Sequence, residues 1–297
     1  MKDKTNDMIQ VIQVPTSIGT TWEYEQPVKL NNFPILLGST YRGGGTSDSP
    51  YESFNLAFHV GDEAQAVLKN RELLAEYIGV EPSRLTCGHQ VHGLTVTEIT
   101  EPAIGAGSLS DKTVIADCDA IYTAIPGVPL LLFTADCVAV GIYDSAHHVI
   151  GVVHAGWKGA IGYLPNLTIE AMGRSHSTEP SDCYVFLGPS IGPQSFEVNE
   201  ELAQRFIEES RTLGITPKAL VGDDAIVTYI TRKDSTQPTP HVNLWAFIKY
   251  SLIACGVPEK QIIIGGTDSM IDERCFSYRR ESGCTGRMAM FGMLKKK

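Results

Sequence analysis

No two of the seven cysteines in this 297-residue sequence are spaced C-x-x-C, which leaves zinc-finger and thioredoxin readings without support. There is no excess of positive charge: Lys and Arg number 24 against 34 Asp and Glu, for a net charge of −10. Sequence-independent nucleic-acid binding needs clustered cations to neutralise phosphates, so no nucleic acid is expected as a partner. A local basic pocket for a small anion stays compatible with that charge. The terminal KKK (295–297) reads as a solvated tail. A long apolar run is also missing. The most apolar stretch, VPLLLFTADCVAVGIY (128–143), is broken by Asp136 and Cys137 and is too short and polar for a bilayer, so no membrane partner is expected. The opening MKDKTNDMIQ holds charges and amides, not the apolar core of a secretory leader. An odd cysteine count without an export signal predicts reduced thiols and a cytoplasmic protein.

What is present is an ordinary globular composition, 43% hydrophobic and 20% charged. Residues 9–26 and FPILLGST (33–40) are strand-like. Residues 62–78 predict a helix, with Asp62 as N-cap and Gly79 as its stop. LLLFTADCVAVGIYD (130–144) and HVIGVVHAG (148–156) read as buried neighbouring strands. Helices are expected over 159–174, 199–213 and 243–255. Strands outnumber helices without strict alternation, which predicts an α+β fold of layered mixed sheets with flanking helices. Residues 1–30 read as an N-terminal extension, in part a strand, and 31–297 as a single catalytic domain.

Three short segments concentrate the reactive side chains: CGHQVHG (87–93), TADCVAV (134–140) and HAGWKG (154–159). A short YDSAHH connection would fold Cys137 and His154 together as a hairpin. His92 would complete a nitrogen–sulfur–nitrogen set, the pattern of a catalytic zinc with an open position. Spacing leaves His89 as an alternative to His92. Buried Cys and His are common as plain core residues, which is the competing reading. A carboxylate inside an apolar strand needs a partner, so Asp136 favours a site. His147 and His148 sit in a turn and are expected to be exposed. A second constellation, STYRGGGTSDSPYESFNLAFHVGD (39–62), offers Arg42, Thr46 and Ser47 around three glycines. It reads either as a small-anion cradle or as a mobile hairpin loop. Arg279 and Arg280 are further anion-binding candidates or surface ion-pair partners.

Together STYRGGGTSDSPYESFNLAFHVGD, HQVHG, TADCVAV, VVHAGWKG, GPSIGP, FSYRR and TGRMA resemble the YfiH/YlmD family, also called the multicopper polyphenol oxidase (laccase) family. The resemblance runs from about residue 33 to 291. It implies a fold like that of cysteine hydrolases of the cytotoxic-necrotising-factor type. It implies metal ligands at His92, Cys137 and His154, and so selects His92 over His89. It further implies purine nucleoside phosphorylase activity on adenosine, inosine, guanosine and methylthioadenosine, with adenosine deamination. Zinc is the cofactor expected, ahead of copper; purine nucleosides and inorganic phosphate are the partners. Arg42, Thr46 and Ser47 are expected at phosphate, with Asn55, His59 and Asp136 near the sugar or phosphate. Gln194 and Ser195 stand where many relatives carry two cysteines, which weakens a multicopper site.

Three rivals stay open. Cys137 could be the nucleophile of a metal-free hydrolase, with His154 as base and Asp136 or a neighbour as orienter. A copper oxidase would need many more ligands than 8 scattered histidines without an H-x-H pair supply. A non-enzymatic protein could hold the metal structurally, with a fourth protein ligand. The sequence leaves open whether the protein is a monomer or a homodimer.

Overall fold

The computed structural model describes residues 8–215, 225–232 and 236–296; the last lysine of the expected tail and the first seven residues lie outside them. The strands are β1 (Ile9–Pro15), β2 (Thr21–Pro27), β3 (Ile35–Thr40), β4 (Thr86–Cys87), β5 (Val96–Glu98), β6 (Ala120–Thr123) and β7 (Leu130–Thr134). They continue as β8 (Val138–Asp144), β9 (Val149–Ala155), β10 (Cys183–Leu187), β11 (Val227–Ile230), β12 (Thr239–Val242), β13 (Ile262–Ile264) and β14 (Met288–Leu294). The α-helices are α1 (Ala64–Ile78), α2 (Trp157–Ile161), α3 (Leu164–His176), α4 (Glu200–Thr212) and α5 (Leu244–Ala254).

Two six-stranded mixed sheets form the body, in the orders β1-β2-β3-β14-β7-β4 and β13-β10-β8-β9-β6-β5. Period-two alternation sorts each strand's side chains between two cores. Leu130 and Leu132 of β7 join Met290, Ile150, Val152 and Phe186 between the sheets. Leu131 and Phe133 point the other way, under Leu73 and Leu74 of α1. On the far side, Val138, Val140 and Val153 meet Ile169 and Met172 of α3 and Phe247 of α5. The molecule is therefore layered helix–sheet–sheet–helix, an α+β architecture. Both sheets are covered on both faces, which is why their central strands read as unbroken apolar runs. Among the described residues, no helix is long and apolar enough to cross a membrane.

Three expectations need correction. The 130–144 run is two strands, not one. β7 belongs to the first sheet and β8 to the second, and the chain crosses between them at Ala135–Cys137, where Asp136 has φ of 90°. The 159–174 helix is also two, because Gly162 and left-handed Tyr163 (φ 57°) interrupt it before Pro165 opens α3. Finally, the N-cap of α1 is Glu63 and not Asp62. Asp62 uses its carboxylate on the Glu63 amide and on Nδ2 of Asn55 instead.

Candidate active site

The hairpin β8–β9 sets Ala139 opposite His154, so Cys137, just before β8, is the diagonal neighbour of His154 on the same face. On the other flank of β9, β6 places Asp119 beside His154. Three adjacent strands thus line up a carboxylate, an imidazole and a thiol. His92 arrives from the loop after β4, in a left-handed conformation (φ 57°). Gln90 anchors that loop by exchanging two hydrogen bonds with the backbone of Phe133, at 2.6 and 2.8 Å. Asp119 holds the rest of it. Its two oxygens accept from the amides of Val91, His92 and Gly93 at 3.1, 3.0 and 2.7 Å.

The ligand atoms of His92, Cys137 and His154 all lie within 4.8 Å of one another. Nε2 of His92 is 3.8 Å from Sγ of Cys137, and the two imidazoles meet edge to face at 4.8 Å. Nδ1 of His154 donates to Asp119 at 2.8 Å. That bond fixes the tautomer and leaves Nε2 of His154 free toward the thiol, the arrangement that orients metal-ligating histidines. Gly156 keeps the space open: a Cβ there would sit 2.8 Å from Sγ of Cys137. Among the described residues no fourth His, Cys, Asp or Glu joins the group. A thiolate and two imidazoles converging on one point fit a metal ion with an open coordination position.

The electrostatics agree with a donor centre. Burial alone would push the Cys137 thiol up, but the charge and hydrogen bonds of His154 and His92 outweigh it and bring it down to about 6. For His154 burial opposes the charged form, yet Cys137 and Asp119 raise it to about 9. The metal-free pair is therefore a thiolate beside an imidazolium at neutral pH.

These residues close one end of a cavity of about 480 Å³. Its lining combines apolar side chains, among them Trp157, Phe196, Leu244 and Ile191, with the polar His59, Gln90, Arg279 and Arg287, and Arg279 lies over the Phe196 ring. Asp136 also borders it, but its carboxylate is committed to Ser269 at 2.7 Å and the Arg279 amide at 2.7 Å. Asp136 is thus a brace for the 279 segment.

His89 is not at the centre; it pairs with Asp117 at 3.2 Å on the surface. The expected anion cradle also falls outside the cavity lining. Arg42 is engaged by Glu281 at 2.6 Å and lies over the Phe276 ring. Thr46 and Ser47 both bond to the side chain of Asn70. Two of the three glycines there, Gly44 and Gly45, serve close packing. Gly44 is left-handed, and a Cβ on it would lie 2.1 Å from the Thr21 carbonyl; one on Gly45 would lie 2.2 Å from that of Ser53. Asn55 is fully buried and bonds to the Arg287 amide at 2.9 Å. Of the FSYRR arginines, Arg280 donates to the carbonyls of Ser269 and Met270 and to Glu281, while Arg279 reaches the cavity. Asp119 and Asn70 went unnoticed in the sequence. For Asp119 a signal existed: like Asp136, it abuts an apolar strand, in DCDAIY.

The fold and the donor set define a layered α+β protein with a one-cysteine, two-histidine centre at the end of an apolar cavity. The chain belongs to the family described as multi-copper polyphenol oxidoreductase laccase, which matches residues 36–295. A relative from Geobacillus stearothermophilus named purine nucleoside phosphorylase YlmD is 31% identical over 86% of this chain and 89% of its own. A protein named adenosine deaminase RL5, from an unknown prokaryotic organism, is 28% identical over 87% of this chain and 93% of its own. The crystal structure of YlmD from Geobacillus stearothermophilus superposes with a TM-score of 0.83 at 28% identity, covering 98% of this chain and all of that one.

Proposed function

We propose that this chain is a zinc-dependent purine nucleoside phosphorylase that also deaminates adenosine. Adenosine, inosine, guanosine and methylthioadenosine are its proposed substrates, with the base and ribose 1-phosphate as products. The observation that carries the reading is the His92–Cys137–His154 donor set in a cavity lined by both aromatic and cationic side chains. The names of the relatives point the same way. Thiolate and imidazole donors suit zinc or copper over magnesium or calcium. Zinc bound there supplies Lewis-acid polarisation.

In phosphorolysis a phosphate oxygen forms a bond to the anomeric carbon of ribose as the bond to the purine nitrogen breaks. Trp157 and Phe196 offer a stacking surface for the purine. The cationic side chains of the lining meet the phosphate, and enclosure in the cavity favours phosphate over water as nucleophile. In deamination, the oxygen of water forms a bond to C6 of adenine as the C6–amino bond breaks, and the amino group leaves as ammonia to give inosine. The seven unpaired thiols suit residence in the reducing cytoplasm.

A second reading is favoured by one observation. Cys137, His154 and Asp119 are aligned as thiolate, imidazolium and orienting carboxylate, an arrangement that also serves a metal-free cysteine hydrolase. Asp119 takes the orienter's place in that alignment, a place for which the sequence offered Asp136 or a neighbour. Product analysis separates the two. Metal-assayed protein is incubated with adenosine, with and without phosphate. Adenine and ribose 1-phosphate formed only with phosphate, together with inosine, are the expected result. No turnover of any purine nucleoside by the zinc-loaded protein overturns the phosphorylase reading, and near-stoichiometric zinc in the purified protein overturns the hydrolase.

A further inference from the structure

Most arginines near the cavity already have partners. Arg42 pairs with Glu281, Arg274 with Asp272 at 2.6 Å, and Arg280 with Glu281 at 2.9 Å. Arg71, which is fully buried, gives its donors to the carbonyls of Leu56, Gly107 and Ser108. Arg287 differs. Its Nη1 donates to the carbonyls of Thr285 and Gly286 at 2.6 and 3.0 Å, and its guanidinium lies over the Tyr278 ring at 5.7 Å. Among the described residues no carboxylate forms an ion pair with it. It nevertheless lines the cavity, and burial disfavours its charge. A desolvated cation without a paired anion is unfavourable unless a mobile anion completes it.

The surroundings make this a built position. The backbone of Arg287 is fastened to the segment before His59: its amide donates to Oδ1 of Asn55 at 2.9 Å, and its carbonyl accepts from Leu56 at 3.3 Å. His59 follows three residues later in a short turn, Phe58–Val60, and faces the same cavity. Burial and the neighbouring charge of Arg287 hold His59 down at about 4, so at neutral pH its ring is uncharged and keeps one N–H to donate. Arg287 lines the same cavity as Cys137, His92 and His154. Arg279, by contrast, is exposed and shares its Nη1 with the Glu197 carbonyl at 3.2 Å.

We propose that Arg287 is the phosphate-binding residue of this cavity, with His59 as a second donor and Asn55 as the residue that positions both. This assignment rests on the phosphorylase reading and moves the phosphate away from the Arg42–Ser47 loop. A guanidinium with free donors matches phosphate oxygens in geometry and charge.

The test compares Arg287→Met, Arg287→Lys, His59→Phe and Arg42→Ala in steady-state phosphorolysis. Each protein is also titrated calorimetrically with inorganic phosphate in the absence of nucleoside. Arg287→Met is expected to raise KM for phosphate by about 10- to 100-fold and to change KM for the nucleoside by less than about threefold. Arg287→Lys should recover part of the loss, and His59→Phe should raise the phosphate KM by a smaller factor. Equal rises in both KM values, or a phosphate KM that responds to Arg42→Ala and not to Arg287→Met, overturns the assignment. If Arg287→Met fails to fold, Arg287→Lys and His59→Phe decide by the same split. If the wild type turns over no nucleoside, the phosphorylase reading has failed by itself. The calorimetric titration still decides the subsite: phosphate bound by wild type and lost in Arg287→Met supports it, and no phosphate binding by wild type overturns it.

Discussion

Asp119 accepts four hydrogen bonds, three from backbone amides of the His92 loop and one from His154. Asp119→Asn would turn one acceptor oxygen into a donor facing those N–H groups. The expected outcome is a fall in metal affinity of about 10- to 100-fold with the fold retained, read by competition with a chromogenic chelator. Cys137→Ser should lose metal and phosphorolysis together while leaving the far-UV circular dichroism unchanged; metal that stays bound would show the ligand set to be wrong. Protonation adds a third expectation. With Cys137 at about 6 and His154 at about 9, the metal-free pair at pH 7 carries its proton on His154. Metal binding through Nε2 must expel that proton. About one proton should therefore be released per metal at pH 7, measured by calorimetry in buffers of different ionisation enthalpy. Affinity should rise with pH up to about 9 and fall more steeply below about 6, where the thiol also protonates. A pH-independent affinity would contradict the pairing. At this scale the sequence was informative where contacts are local. Cys137 and His154 could be paired because one short hairpin joins them. Arg42 could not be placed, because its partner Glu281 lies 239 residues further along the chain.

Among the elements, the glycine loop shows how a motif with the right composition can serve another end. Its organiser is Asn70, on the inner face of α1. The Asn70 amide donates to Ser47 Oγ and to the carbonyls of Ser53 and Asn55, and its Oδ1 accepts from Thr46. A buried polar residue in the middle of an amphipathic helix carries no periodic signal, so nothing in 64–78 announced it. Asn70→Ala would leave several buried groups unmatched. It should destabilise the protein by about 2–4 kcal/mol in urea unfolding while metal content per folded molecule stays constant. A change under about 0.5 kcal/mol would mean that water replaces the amide. The helices α4 and α5 fall inside the stretches 199–213 and 243–255 expected to be helical, and the structure caps them with the side chains of Asn199 and Asn243. The split of 130–144 was not legible in the sequence, because a strand that changes sheet keeps the same apolar composition on both sides of the bend. The bend was marked only by Asp136, which was read as a site residue and is also a hinge in the backbone.

The layering of the whole molecule decides what the N-terminal strands do. The family match begins at residue 36, yet β1 and β2 extend the same sheet as β3. Trp22 is fully buried, stacked on Phe54 at 4.9 Å and edge-on to Tyr77 at 5.3 Å. Trp22→Ala should lower stability by about 3–5 kcal/mol, seen as an earlier urea midpoint with an unchanged slope. Gly44 packs directly on the Thr21–Trp22 backbone, and Phe54 adjoins the Asn55 that holds Arg287. The seam between the recognisable family region and what precedes it thus runs through a hydrophobic cluster instead of around it. An expression clone started at residue 36 would strip the Trp22 and Tyr24 rings from Phe54, Tyr77 and Phe291 and expose the edge of β3. Such a fragment should accumulate in inclusion bodies, and it would be a poor yardstick for what the intact enzyme can do.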